Sequence, residues 1–233
     1  MATSLTEMKN SILLVFLLIT LNTKAGILQQ DTVPSIKNDY KEWIAPAAIF
    51  TSGVMFATVP SFNKLEKNIN LEIRKTGRTT KVDQATQFLP AVAVFALDAS
   101  GIKGTHSVRK QIQLFGASQL SAALIVYPMK IIIKRPRPNG EDNRSFPSGH
   151  ATRAFVSAEF LHQEFGHISP WISIAGYTTA GATAYLRLYQ NEHWLGDVLA
   201  GAALGMASTK FVYWVNKRLA SKPKAKKELI AAF

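Results

Sequence analysis

The stretch QIQLFGASQLSAALIVYPM, residues 111–129, carries no Asp, Glu, Lys or Arg and never settles into the apolar-polar alternation of a strand. At about 1.5 Å per residue, a helix of this length approaches the roughly 30 Å hydrocarbon core of a bilayer. Two further stretches read the same way: WIAPAAIFTSGVMFATVPSFN, residues 43–63, and FGHISPWISIAGYTTAGATAYL, residues 165–186. Three others are interrupted by charge. The run after Gln84 meets Asp98, the run after Ala154 meets Glu159, and the run after Val198 meets Lys210. These read as buried bundle helices, or as spans that face other helices rather than lipid. The expectation is an all-α, membrane-associated bundle of about five or six helices with its functional residues at one end.

Composition agrees with one well-filled core. Of 233 residues, 47% are hydrophobic and 18% charged, too apolar for a disordered chain and enough for one large domain or at most two small ones. The mean hydropathy of +0.06 lies between soluble and multi-span proteins, so the membrane question is decided segment by segment. A net charge of +12 suits phosphate-bearing partners, whether nucleic acid, anionic lipid or a small substrate. Nucleic acid is not expected, because the basic residues gather at helix ends and in the tail without an aromatic-interleaved motif. The absence of cysteine excludes disulfide scaffolds, thiol catalysis, Fe–S clusters and Cys-ligated zinc.

Residues 1–25 read as an export signal: Lys9 precedes the uncharged run SILLVFLLITLN, and Thr23 and Ala25 supply the small residues of a cleavage site before Gly26. A retained signal-anchor is the alternative. Residues 26–84 read as an N-terminal helix followed by a basic connecting segment, 85–216 as the functional domain, and 217–233 as a basic tail (KRLASKPKAKKELIAAF). Between Phe62 and Gln87 the chain is polar and mostly basic, which fits a surface amphipathic helix plus a loop, or a merely solvated connection. If the last helix spans a membrane, the basic tail belongs on the cytoplasmic side.

Three polar islands sit at the ends of the apolar helices. In KIIIKRPRP, Lys130 ends one helix, and Arg137-Pro138 follows in a loop stiffened by Pro136 and Pro138. This is either a pair of presented cations or a juxtamembrane basic stop signal. In SFPSGH, Pro147 suits a helix start, and Gly149 lets backbone approach a ligand. The free N–H groups with the Ser148 hydroxyl can cradle an anion beside His150. An ordinary cap with an incidental histidine fits equally. In LRLYQNEHWLGD, Arg187 ends one helix, and His193 and Asp197 are expected four apart on one face of the next. A carboxylate so placed can fix the tautomer of an imidazole and leave its other nitrogen as a nucleophile. Two metal ligands or a surface hydrogen bond share that spacing, although no cysteine or third carboxylate accompanies the pair to complete a metal site.

Taken together, Lys130…Arg137-Pro138, Pro147-Ser148-Gly149-His150 and Arg187…His193…Asp197 resemble the three-part signature of the type 2 phosphatidic acid phosphatase family. That family shares its site with vanadium haloperoxidases and bacterial class A acid phosphatases. The match covers roughly residues 85–216, and one position departs from it: members usually carry Ser before the third-motif arginine, where this chain has Leu186. The resemblance implies a helical bundle and a cofactor-free, metal-independent phosphatase. It implies His193 as the nucleophile that becomes phosphohistidine, Asp197 as the carboxylate that orients it, and His150 as the general acid. Lys130, Arg137, Ser148, Gly149 and Arg187 are implied as the phosphate clamp.

The function expected is hydrolysis of a lipid phosphate or pyrophosphate at the periplasmic face of a bacterial inner membrane. A phospholipid, an isoprenyl pyrophosphate or a lipid A-type molecule would be the substrate. Alternatives are a soluble periplasmic acid phosphatase, a vanadate-dependent haloperoxidase, and a non-catalytic anion-binding membrane protein.

Overall fold

The computed structural model describes residues 40–73 and 81–231, with side chains described as far as residue 220, so the expected export signal lies outside the described residues, while the basic tail continues the last helix to residue 231. Apart from the first two, these residues belong to one compact unit, Glu42–Phe233.

Pro60 divides the first apolar stretch. A proline lacks the N–H that would continue helix α1 (Lys41–Thr58) and suits the first position of a new helix, so the chain turns by 90° into α2 (Pro60–Ile73). The short α3 (Val82–Thr86) and α4 (Leu89–Ala99, with Pro90 in its first turn) follow. Next come α5 (Val108–Ile133), α6 (Gly149–Phe165), α7 (Pro170–Tyr189) and α8 (Leu195–Ala231). Ser148 caps α6 by accepting from Ala151 N at 3.4 Å, and Ser169 caps α7, with Pro170 in its first turn, by accepting from Trp171 N at 3.3 Å. Among the described residues all regular structure is helical, as expected. The helices number eight rather than five or six, because Pro60 makes two of one stretch and α3 interrupts the basic connection.

Helices α5 to α8 alternate in direction, so the α5–α6 and α7–α8 connections, which carry the three islands, meet at one end. Helix α6 runs through the middle, packed on α5, α7 and α8. Val94, Leu114, Phe160, Leu161, Phe165 and Tyr213 fill the far end, while Ala151, Ala184, Leu188 and Val198 pack directly beneath the islands. Small residues let α8 come close to α6. A Cβ at Gly201 would lie 2.5 Å from the Ser148 carbonyl oxygen, and one at Gly205 would clash with the Thr152 carbonyl oxygen.

Two helices are long and apolar enough to cross a membrane, α5 and the Leu195–Ala220 part of α8, and the bent α1–α2 pair could make a third. The outer face of α5 exposes Ile112, Leu120, Leu124, Tyr127, Ile131 and Ile132, a continuous apolar strip of the kind that lipid covers. Two expectations from the sequence are corrected here. Residues 43–63 do not form one helix, because Pro60 divides them into α1 and α2. Residues 165–186 do not form one span, because the chain breaks after Phe165 and α7 begins only at Pro170. The run after Val198 agrees with the expectation of a span that faces other helices: the Lys210 ammonium lies 2.8 Å from the buried Glu159 carboxylate and is therefore neutralised inside the bundle. Glu159 also accepts from Tyr177 and Gln163, and Asp98 accepts from Gln111 Nε2 at 2.6 Å. Both interrupting carboxylates are thus buried members of polar networks.

Candidate active site

Lys130 stands one turn before the end of α5, so its ammonium reaches into the connection and donates to the Arg144 carbonyl at 2.7 Å. The connection is held by its own bonds: Arg137 N to Asp142 O at 2.9 Å, Ser145 N to Arg135 O at 2.9 Å, and Arg137 Nε to Asp142 Oδ1 at 2.8 Å. Gly149 and His150 open α6, and Arg187 lies in the last turn of α7. His193 is not on the face of α8, as its spacing suggested, but in the connection just before that helix. Asp197, in the first turn, reaches back to cap Trp194 N at 2.9 Å.

Six of the eight residues singled out in the sequence, Lys130, Arg137, Gly149, His150, Arg187 and His193, line one cavity of about 550 Å³. Phe88, Leu120, Ala123, Val126 and Tyr127 supply an apolar wall to the same cavity. Ser148 and Asp197 lie directly behind it, both fully buried, with Ser148 N donating to Asp197 O at 2.9 Å.

The Nδ1 atom of His193 faces Asp197 Oδ2 at 3.7 Å, with Ser145 Oγ 3.4 Å from Nδ1 and itself donating to Asp197 Oδ2. The serine bridges a pair that stands slightly too far apart for a direct hydrogen bond, and Nε2 is left as the ring nitrogen free for the cavity. Asp197 is in turn fixed by Arg135, whose Nη1 donates to Oδ1 at 2.6 Å while Nη2 donates to Glu66 Oε2 at 2.5 Å. Glu66 on α2 closes this chain by accepting from Gly196 N at 2.6 Å, and Asn70, one turn on, donates to His193 O at 3.2 Å.

On the other side, Arg187 Nη1 donates to Asp83 Oδ2 at 2.5 Å and Gln190 Nε2 to Asp83 Oδ1 at 3.2 Å, while His150 Nε2 lies 3.5 Å from Asp83 Oδ2. Glu192 bridges two clamp arginines: its Oε2 is 2.7 Å from Arg137 Nη1 and 3.2 Å from Arg187 Nη2.

These charges set the protonation of the site. Burial, then Arg187 and Arg153, pull His150 down to about 3 against the opposing pull of Asp83. Burial also brings His193 down to about 4, although Asp197 favours its charged form. Both imidazoles are therefore neutral near pH 7, as a nucleophile must be. Burial would raise the Asp83 carboxyl, but Gln190, Arg187 and His150 outweigh it and hold it below the ordinary range. Among the described residues no group of three or more His, Cys, Asp or Glu side chains comes together as metal ligands. Chemically, the arrangement offers a neutral imidazole at a wall of cations, a second imidazole beside it, and an apolar slot.

Sequence reasoning missed Glu66, Asn70, Asp83, Arg135, Ser145, Arg153 and Glu192. A signal existed for some of them. Arg135 and Ser145 flank two of the islands, Glu192 precedes His193, and Glu66 and Asp83 are acidic residues in a mostly basic connection.

Residues 112–220 match the sequence model of the PAP2 superfamily. The lipid A 1-phosphatase of Porphyromonas gingivalis is 37% identical over 166 residues, 69% of this chain and 36% of that protein. The bacitracin transport permease protein BcrC of Bacillus licheniformis is 37% identical over 79 residues, 34% of this chain and 37% of that protein. The chain thus spans little more than a third of the length of either curated relative. A transmembrane PAP2 type phosphatidylglycerolphosphate phosphatase from Bacillus subtilis shares the fold, with a TM-score of 0.52 at 19% identity over 75% of this chain and 96% of that one.

Proposed function

Because residues 112–220 match the sequence model of the PAP2 superfamily, we propose that the chain is a metal-independent phosphatase of that kind, acting on a lipid phosphate or pyrophosphate. The observation that supports this most directly is the shared cavity, which sets His193, His150 and three cations against an apolar wall. In this reading His193 Nε2 attacks phosphorus, while Asp197 and Ser145 hold the Nδ1 side of the ring. Lys130, Arg137 and Arg187 neutralise the non-bridging oxygens, and His150 protonates the leaving oxygen. Water then cleaves the phosphohistidine with His150 as base. General acid catalysis contributes about 10²- to 10⁴-fold, and preorganised positive charge supplies much of the rest in phosphoryl transfer.

The apolar wall and the exposed strip of α5 support a substrate held by its hydrocarbon chains at a membrane. The lipid A 1-phosphatase relative points to lipid A-type phosphates among the candidates. The basic tail supports an active site on the periplasmic side of a bacterial inner membrane. The permease relative raises a transport reading. A transport component would not need a nucleophile, its orienting carboxylate and a second imidazole in one cavity, so hydrolysis is favoured.

The test is phosphate release by the purified full-length chain from phosphatidic acid, a polyprenyl pyrophosphate, lipid A and an aryl phosphate, with EDTA present. Turnover that survives the chelator and is blocked by vanadate, a mimic of the pentacovalent transition state, is expected. Activity lost to EDTA and restored by Mg²⁺ or Zn²⁺ would overturn the mechanism.

A further inference from the structure

The cavity holds one cation that belongs to none of the three islands and that the mechanism above leaves unused. Arg153 lies three residues beyond His150 on the same face of α6 and lines the cavity beside Lys130, Gly149 and His150. Its Nε donates to Gln87 Oε1 at 2.7 Å, which fixes the guanidinium, while neither Nη has an acceptor among the described residues. Its neighbours differ: Arg135 is paired with Glu66 and Asp197, Arg137 with Asp142 and Glu192, and Arg187 with Asp83 and Glu192. The free end of Arg153 lies close to the start of α6, since a Cβ at Gly149 would stand 3.6 Å from Arg153 Nη1 and 3.9 Å from Lys130 Cε. A guanidinium held at Nε and accessible at both Nη atoms is placed to meet a ligand oxygen in the cavity.

We propose that Arg153 forms a second anion subsite next to the scissile phosphate, and that the preferred substrate is an organic diphosphate rather than a monoester of a neutral alcohol. This rests on the phosphatase reading. His150 donates to the leaving oxygen, and Arg153 is the next side chain on its face, so a charge carried by the leaving group falls to Arg153. With a diphosphate, His193 Nε2 bonds to the terminal phosphorus and the bond from that phosphorus to the bridging oxygen breaks. The bridging oxygen takes the proton of His150 and departs as part of an organic monophosphate, whose non-bridging oxygens Arg153 meets. Water, giving one proton back to His150, then adds its oxygen to the phosphohistidine. Inorganic phosphate and free His193 result.

The probes are geranyl diphosphate and geranyl phosphate, turned over by the purified full-length chain in detergent. The intact enzyme should favour the diphosphate in kcat/KM by about tenfold or more, the order that a dedicated charged contact supplies. Arg153→Gln should lower kcat/KM for the diphosphate by about tenfold more than for the monophosphate, and Arg153→Lys should restore part of the difference. A loss equal on both probes, or no loss, would overturn the subsite. Binding is read separately by calorimetry with methylenebisphosphonate, which is not hydrolysed, and with inorganic phosphate. The bisphosphonate should bind tighter, and Arg153→Gln should remove that advantage; an advantage that persists in the variant overturns the proposal. If neither geranyl probe is turned over, phosphate release from the lipid panel above decides the phosphatase reading and the binding comparison alone decides the subsite.

Discussion

His150 raises a question of proton balance at the scale of single residues, because a general acid must carry a proton and this imidazole, held down to about 3, carries none near pH 7 in the empty site. The resolution lies in the causes. After burial, Arg187 and Arg153 depress it most, and an anion bound between them cancels both while Asp83 goes on attracting the proton. Anion binding should therefore take up a proton, and affinity should rise as pH falls toward about 3. Calorimetry with sulfate, which has no titrating proton of its own in this range, in buffers of different ionisation enthalpy at roughly pH 5 to 7, reads the uptake directly. His150→Gln should abolish it. Uptake that survives in the variant would assign the proton to His193, whose charging would silence the nucleophile, and the acid role would pass elsewhere. The two histidines should also separate by leaving group. His193→Ala should be inactive on every substrate, whereas His150→Ala should keep turnover of p-nitrophenyl phosphate and lose about 10²- to 10⁴-fold on an alkyl phosphate. An aryl phosphate that rescues the His193 variant instead would reverse the assignment.

Helix α2 shows at the scale of elements why part of the site was hidden in the sequence. Its polar composition fitted a surface helix, yet Glu66 and Asn70 are buried and brace the opposite end of the chain. Glu66 contacts Gly196 across 130 positions and Arg135 across 69. Removing one partner of such a buried charge group costs about 3–5 kcal/mol, because the others are left uncompensated. Glu66→Ala should accordingly lower the thermal midpoint of the purified protein and kcat together, since Arg135 loses one of the two carboxylates that fix it against Asp197. Glu66→Gln, which keeps an acceptor for Gly196 N, should fall between. Wild-type stability and turnover in the Ala variant would show that α2 does not brace the site. The three islands were legible because each is contiguous and lies at a helix end, where capping serine, proline and glycine leave local marks. Asp83, 104 positions from Arg187, leaves no such mark, because long-range pairing of a lone acid is set by packing and not by any local period. The break of α1 from α2 carried a local mark in Pro60 but was missed, because by their lack of charge residues 43–63 read as one stretch. The pairing of Lys210 with Glu159 was not legible, since each charge, read alone, argued only against a lipid-facing span and did not name its partner.

For the whole molecule, the direction of the helices ties the site to a side of the membrane. The connections 134–148 and 190–194 meet at one end, and α8 leads from that end to the other, with Leu195–Ala220 long and apolar enough to cross once. Lys217 and Arg218 close that segment, and Lys222, Lys224, Lys226 and Lys227 follow in the sequence. Such a cluster of cations next to a span stays in the cytoplasm, so the site should face outward. The absence of cysteine makes this directly measurable, because a single introduced thiol is the only target for a maleimide. Glu141, exposed in the site-end connection, and Ser221, just past the candidate span, are the two positions to compare. In intact cells a membrane-impermeant maleimide should label Glu141→Cys and leave Ser221→Cys unmodified until the cells are lysed. The reverse pattern would place the site in the cytoplasm and remove the support that the tail lends to a periplasmic substrate. Labelling of both in osmotically opened cells, with the protein released in the wash, would mean that α5 and α8 do not cross a bilayer. The apolar strip on α5 would then have to be covered by something other than lipid.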